Sequence, residues 1–185
     1  MYSAYKRISV VGTTGSGKTT AAREIAARLQ IPHIQLDALY WDRDWTGVSD
    51  EIFRERIAAA IAGDQWVVDG NYSRMRSPVW GRANMVVFLD YTFFRVFWQL
   101  LKRTIRRGLR KEVLWGYNRE TLGKAFFSRD SILLWMLKTY RRNSKKYPAL
   151  FEQPEYAHLE VVHLHTARET EEWLPLTLAN LCNIL

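Results

Sequence analysis

Cysteine is nearly missing from this chain: Cys182 is the only one in 185 residues. A single thiol can build neither an internal disulfide nor a multi-cysteine metal site, which suits a reducing compartment. The first dozen residues, MYSAYKRISVVG, lack the apolar stretch of roughly 7–15 residues and the small-residue cleavage site of a secretory leader. No unbroken apolar run approaches the length of a membrane span. The expected location is therefore the cytoplasm, with no membrane partner. Internal repeats, low-complexity tracts and Pro/Gly/Ser linkers are absent as well. Residues 1–185 are expected to form one domain, long enough to bury a real core.

Positive charge is plentiful but confined. The segment Lys102–Lys146 holds fourteen Lys or Arg against three acids, Glu112, Glu120 and Asp130, so the whole net charge of +8 belongs to it. Such a segment should meet something anionic, unless it is only a solvated helix face. Eight tryptophans are also unusual for this length; most should pack, and a few could stack on a base or ribose.

Apolar runs bounded by glycine or acid predict strands at Ile8–Val11, His33–Leu36, Trp66–Val68, Met85–Leu89 and Leu159–Leu164. Helical patterns lie between them. Thr19–Leu29 carries Ala22, Ile25, Ala26 and Leu29 along one face. Ser49 is a plausible N-cap for a helix reaching Gly63, with a buried stripe of Ile52, Ile57 and Ile61. Thr166 and Glu169 form a capping box before a last helix bearing Trp173, Leu174, Leu178 and Leu181, which Pro175 should kink or break. Strands alternating with helices predict a parallel sheet covered on both faces. The basic segment interrupts the alternation with two long helical patterns, Phe93–Arg107 and Ser128–Lys145, and reads as an insertion at about 102–146.

The run Gly12-Thr13-Thr14-Gly15-Ser16-Gly17-Lys18-Thr19, followed by Thr20, meets every required position of G-x-x-x-x-G-K-[ST] between a strand and a helix. Glycines let the backbone fold tightly with its N–H groups turned inward, an anion cradle completed by the helix N-terminus. Lys18 is placed to reach the β- and γ-phosphates of a bound triphosphate, and the Thr19 hydroxyl to hold Mg²⁺. The implied cofactors are ATP and Mg²⁺.

A cradle can serve hydrolysis, switching or transfer. Val67-Val68-Asp69 resembles a second strand that aims a carboxylate at the metal, although Asp69-Gly70 is also a strong turn dipeptide. Gly70 stands where many motor-type ATPases carry a water-activating glutamate, and no Asn-Lys-x-Asp guanine-reading motif follows. A transfer enzyme needs neither, because its nucleophile is the bound acceptor. It does need a cover that excludes water, and the basic insertion offers one: Arg103, Arg107 and Arg141 are the candidate phosphate contacts, with Gly108, Gly116 and Gly123 as bending points. On the acceptor side, Asp37 could take or orient a hydroxyl proton, or simply cap a helix. Trp41 and Trp45 could be stacking platforms or loop packing. Asn71, Tyr72 and Arg74 could grip an acceptor phosphate, with Arg82 a further candidate.

Taken together, GTTGSGKTT, LDALYWDRDW, WVVDGNY and RTIRRGLR resemble the bacterial DNA topology modulation proteins, an adenylate-kinase-like group within the P-loop nucleoside and nucleotide kinases. The resemblance runs over nearly the whole chain. It implies a three-layer α/β fold with a five-stranded parallel sheet, an ATP·Mg donor site, a helical arginine-rich lid, Asp69 as the metal-side acid and Arg74 as the arginine after the Asp-Gly strand end. Adenylate kinases have Asp-Gly-Phe-Pro-Arg there; this chain has Asp69-Gly-Asn-Tyr-Ser-Arg74, one residue longer and without proline.

Three functional classes follow. The first is a small-molecule kinase, monomeric or homodimeric, that phosphorylates a nucleotide, nucleoside or related acceptor. The second is a nucleic-acid-associated ATPase or regulator using the basic segment, against which stands the lack of a zinc finger, RNP motif or clear helix-turn-helix. The third is a nucleotide-binding module without turnover.

Overall fold

The computed structural model describes residues 6–115, 118–119 and 131–182. Its strands, numbered along the chain, are β1 (Arg7–Gly12), β2 (His33–Gln35), β3 (Trp66–Asp69), β4 (Met85–Leu89), β5 (Val113–Leu114), β6 (Asn118–Arg119) and β7 (Glu160–Leu164). Five of them form one sheet in the order β2-β3-β1-β4-β7, with every pairing parallel. The other two, β5 and β6, pair antiparallel as a separate hairpin. The helices are α1 (Lys18–Leu29), α2 (Leu36–Tyr40), α3 (Asp50–Ala60), α4 (Arg76–Trp80), α5 (Phe93–Arg110), α6 (Ile132–Phe151) and α7 (Ala167–Cys182). This is the α/β P-loop kinase fold.

Alternation in β1 separates two cores. Ile8 and Val10 face one way, towards Ala22 and Ile25 of α1, Val96 and Leu100 of α5, and Leu174 of α7. Val11 faces the other way, towards Phe53 and Ile57 of α3 and Trp80 of α4. Ser9 shares that second face and is 2% exposed; its hydroxyl accepts from the Trp80 indole N–H at 3.2 Å, so the polar group in the central strand is satisfied. Helix α6 belongs to both cores. Met136 packs in the first, and Tyr147 and Leu150 in the second. Twenty residues of helix, about 30 Å, therefore cross the carboxyl ends of the strands. Midway, the Tyr140 hydroxyl donates to the Tyr91 carbonyl at 3.0 Å and the Ser144 hydroxyl to Asp90 Oδ1 at 2.5 Å, tying the helix to that edge.

Several expectations need correction. Leu36 leaves β2 and begins α2. Ser49 does cap α3, accepting from the Ile52 N–H at 3.4 Å. Ile52, however, is 45% exposed, and the buried stripe runs Phe53, Ile57, Ile61, because four residues back from Ile57 is Phe53. The Thr166 hydroxyl accepts from the Glu169 N–H at 3.1 Å, as a capping residue should, and α7 then continues through Pro175. Among the described residues no helix is long and apolar enough to cross a membrane. Gly116, Gly123, Ser128 and the side chains of Leu178 and Leu181 lie outside the described residues.

Phe53 tests the second core. Its ring is fully buried and packs edge-on to Tyr72 and tilted to Tyr40. Phe53→Ala should cost about 3–5 kcal/mol in urea unfolding; a loss under about 1 kcal/mol would mean the layer is not packed as described.

Candidate phosphate-binding and acceptor site

The strand order places β1 between β3 and β4, with the chain leaving towards β2 on one side and returning to β4 and β7 on the other. The crevice at such a switch point, outside the carboxyl ends of the strands, is where an α/β sheet offers space to a ligand. Residues 12–17 turn there before α1 begins. Gly12 has φ +151°, and a Cβ on it would sit 2.5 Å from the Leu89 carbonyl oxygen; at Gly15, φ +91°, a Cβ would meet Leu100 of α5 at 2.8 Å. The loop is thus seated against β4 and α5 at positions only glycine fits. Asn71, just beyond β3, fastens its first turn: Oδ1 accepts from the Gly12 N–H at 3.3 Å and Nδ2 donates to the Gly12 carbonyl. From above, Asn143 of α6 donates to the Thr13 hydroxyl at 3.5 Å.

Lys18 turns back over the loop and donates to the Thr13 carbonyl at 3.2 Å. Burial lowers its pKa from 10.5 to about 8; the Asp69 and Asp37 carboxylates oppose that shift, and Arg103 adds to it. Those couplings map the site, since Asp69, Asp37 and Arg103 all act on one ammonium. Asp69 is 4% exposed. Its Oδ2 and the Nε2 of His33 lie 3.7 Å apart, and neither has a hydrogen-bond partner. A buried carboxylate oxygen left without a donor suits a nearby cation or its water; Thr19 stands in the first turn of α1, which follows β1, the strand paired with β3. Residues and site therefore fit a divalent ion such as Mg²⁺.

Asp37, in the first turn of α2, is oriented by the Tyr72 hydroxyl, which donates to its Oδ1 at 2.6 Å. Burial, then the charge of Asp37, pushes the Tyr72 phenol well above its usual pKa, so it remains a donor. Tyr72 also lines a small cleft, shared with Ser9, Asn71, Arg76 and Tyr147 among others. Arg76 stacks over Trp80, its guanidinium carbon 5.5 Å from the ring centroid. Lys146 sits close enough to Arg76 and Arg142 for burial and both cations to lower its pKa. Among the described residues no acid pairs with any of these three cations.

The candidates from sequence divide accordingly. Lys18, Asp69, Asp37, Tyr72 and Arg103 come together, and Thr19 follows Lys18 in the first turn of α1. Arg107, one turn beyond Arg103 on α5, faces inward and reaches Glu112 at 3.8 Å. Arg74 turns to Asp50 at 2.6 Å and over the Tyr40 ring, so it pins α3 to the loop after β3. Arg82 lies at the opposite edge of the sheet, donating to the Ala62 and Gly63 carbonyls just before β3, and is no part of this site. Arg141 is exposed, about 200° round the helix from Asn143. Trp41 packs edge-on against Tyr40 and Trp45, and Trp45 against Trp115, with β6 docked there by Asn118, which joins the Trp45 N–H and the Asp42 carbonyl. Sequence reasoning missed Arg76, Lys146 and Asn143. An Arg four residues before Trp80 on a short helix was the one available signal for Arg76.

Residues 8–90, fewer than half of the chain, match the family described as ATPase family associated with various cellular activities (AAA). No curated protein matches the chain. Among solved structures, a gluconokinase from Sinorhizobium meliloti 1021 is similar at 18% identity, with 98% of this chain and 94% of that one covered and a TM-score of 0.52. A shikimate kinase from Bacteroides thetaiotaomicron is similar at 16% identity, with 96% of each chain covered and a TM-score of 0.53. An unliganded sugar kinase from Janibacter sp. HTCC2649 gives 16%, 93% and 91%, and 0.52. These similarities share the fold and do not single out the topology modulation group.

The Lys18 ammonium sets a pH dependence. A bound polyphosphate restores the counter-charge that burial removed, raising the Lys18 pKa in the complex. Affinity is then full below the free-protein pKa of about 8 and falls as pH rises through it towards the bound value. Titration with a nucleoside triphosphate between about pH 7.5 and 9.5, where the ligand's own charge is constant, should show this fall and proton uptake on binding. A flat profile would place the ammonium away from the phosphates.

Proposed function

We propose that the chain is an ATP-dependent small-molecule kinase that transfers the γ-phosphoryl group to a hydroxyl of a nucleotide, nucleoside or related acceptor. The observation that carries this reading is the convergence on one cradle of a polyphosphate cation, Lys18, and a second carboxylate, Asp37, which the cradle itself does not need. Gly12 to Thr20 hold the triphosphate. Thr19 and Asp69 would hold Mg²⁺, which when bound would offset the charge of the phosphates. The acceptor oxygen attacks the γ-phosphorus, the bond to the ADP oxygen breaks, and the hydroxyl proton passes to Asp37, held in line by Tyr72. Arg103 and Arg107 approach the equatorial oxygens, and α6 with the β5–β6 hairpin excludes water.

Gly70 after Asp69 supplies no carboxylate for activating water, which favours transfer over the hydrolysis of motor-type ATPases. The cleft beside Tyr72 is lined by Arg76, with Arg142 and Lys146 close by and no acid pairing with the three among the described residues, which favours an acceptor carrying a phosphate or carboxylate. Arg76 takes the place expected of Arg74. Kinases acting on gluconate and shikimate are among the similar folds. A nucleic-acid-associated ATPase is the second reading, favoured by one observation: Lys102, Arg106, Arg110, Lys138, Arg141 and Lys145 are exposed on α5 and α6.

An ADP-release screen of ATP·Mg against nucleosides, nucleotides and hydroxylated acids should find acceptor-stimulated turnover. Stimulation by single-stranded or duplex nucleic acid alone, weakening steeply with salt, would favour the second reading. Within the active pair, Asp37→Asn should lower kcat by about 10²-fold or more while leaving ATP affinity unchanged; equal loss of both would make Asp37 structural. Lys18→Ala should abolish nucleotide-dependent thermal stabilisation, and undiminished stabilisation would remove the cradle.

A further inference from the structure

On the β4–β7 side of the same sheet edge, three potential metal ligands converge that phosphoryl transfer does not use. Strands β4 and β7 pair with Phe88 opposite His163 and Leu89 opposite Leu164, and the Asp90 N–H continues the ladder to the Leu164 carbonyl at 2.9 Å. His163 and His165, two apart across the end of β7, project to one side, with ring centroids 4.0 Å apart. Asp90 Oδ2 lies 3.2 Å from His163 Nε2, and one ligand atom from each of the three residues lies within 4.8 Å of the others.

We propose that Asp90, His163 and His165 bind a divalent transition-metal ion of the zinc class. Two imidazoles and one carboxylate are a donor set that zinc, cobalt and nickel favour and that magnesium does not. Bonds of about 2.0–2.1 Å put neighbouring donors in a tetrahedron about 3.4 Å apart; the Asp90–His163 pair already stands near that spacing, and the more exposed His165 ring has room to turn in. The supporting groups are in place. The Ser144 hydroxyl occupies the other Asp90 oxygen at 2.5 Å, the Phe88 ring stacks on His163 with centroids 4.7 Å apart, and Glu169 holds the backbone N–H of His165 at 2.7 Å. With three protein ligands, a fourth position stays open to water. Because Ser144 neighbours Asn143, the residue that reaches Thr13, the ion would brace α6 over the glycine loop.

The full chain without a polyhistidine tag, freed of metal and titrated with Zn²⁺ against a chromogenic chelator, should bind one equivalent. Co²⁺ in its place should give the d–d absorption of a four- or five-coordinate site. His163→Ala and Asp90→Asn should each weaken binding by more than the roughly 10–100-fold typical of losing an outer partner. His165→Ala, at an exposed ring, should do the same with an unchanged circular dichroism spectrum, which separates ligand loss from misfolding. His33→Ala and His158→Ala should leave binding intact. The proposal is overturned if wild type takes up no more metal than the Asp90→Asn/His163→Ala/His165→Ala chain, or if removing His33 or His158 abolishes binding. Neither outcome bears on ATP turnover, which the ADP-release screen reads separately.

Discussion

A lysine ammonium held out of water is the constraint around which this molecule is arranged. Isolated, Lys18 would be costly; its charge survives because Asp69 and Asp37 face it from two different strand ends and offset part of the desolvation. The strand order brings those ends together. Val10 pairs with Asp69 on one side and with Val87 on the other, so the glycine loop leaves the sheet between the acid and the β4 edge. The two cores on either face fix that register, and a polyphosphate completes a charge balance that the fold leaves unfinished.

Where the chain's chemistry is local, the sequence displays it. The cradle is legible because each residue type answers a requirement within eight positions, and the strands because their apolar runs end in glycine or acid. Met85–Leu89 appears with the expected bounds. The stripe on α3 was misread by one residue: Ile52 and Phe53 both fit an apolar pattern, and only packing against Tyr72 and Tyr40 distinguishes them. Leu36 is another ambiguous apolar residue at a junction, where a strand and a short helix meet without a glycine or proline between them.

Long-range pairings were not legible. Asn71 looked like an acceptor contact, yet its amide is spent on Gly12, fifty-nine positions away in sequence. Arg74 and Arg76 are equally basic and two residues apart; Asp50 claims the first, and the indole of Trp80 steers the second towards the cleft. Arg82 follows a helix short enough that its direction could not be inferred, and it returns to the far edge of the sheet. A similar limit applied to the basic segment, whose charge was plain while the inward faces of α5 and α6 were not.

Helix α6 has a consequence beyond covering the edge. Its first turns are rooted in one layer and its last turns in the other, so neither layer can loosen without levering the same stiff rod. A sheet faced by two separate cores would ordinarily be free to melt one side at a time. Here a crossbar welds them, and the weld passes directly over the loop.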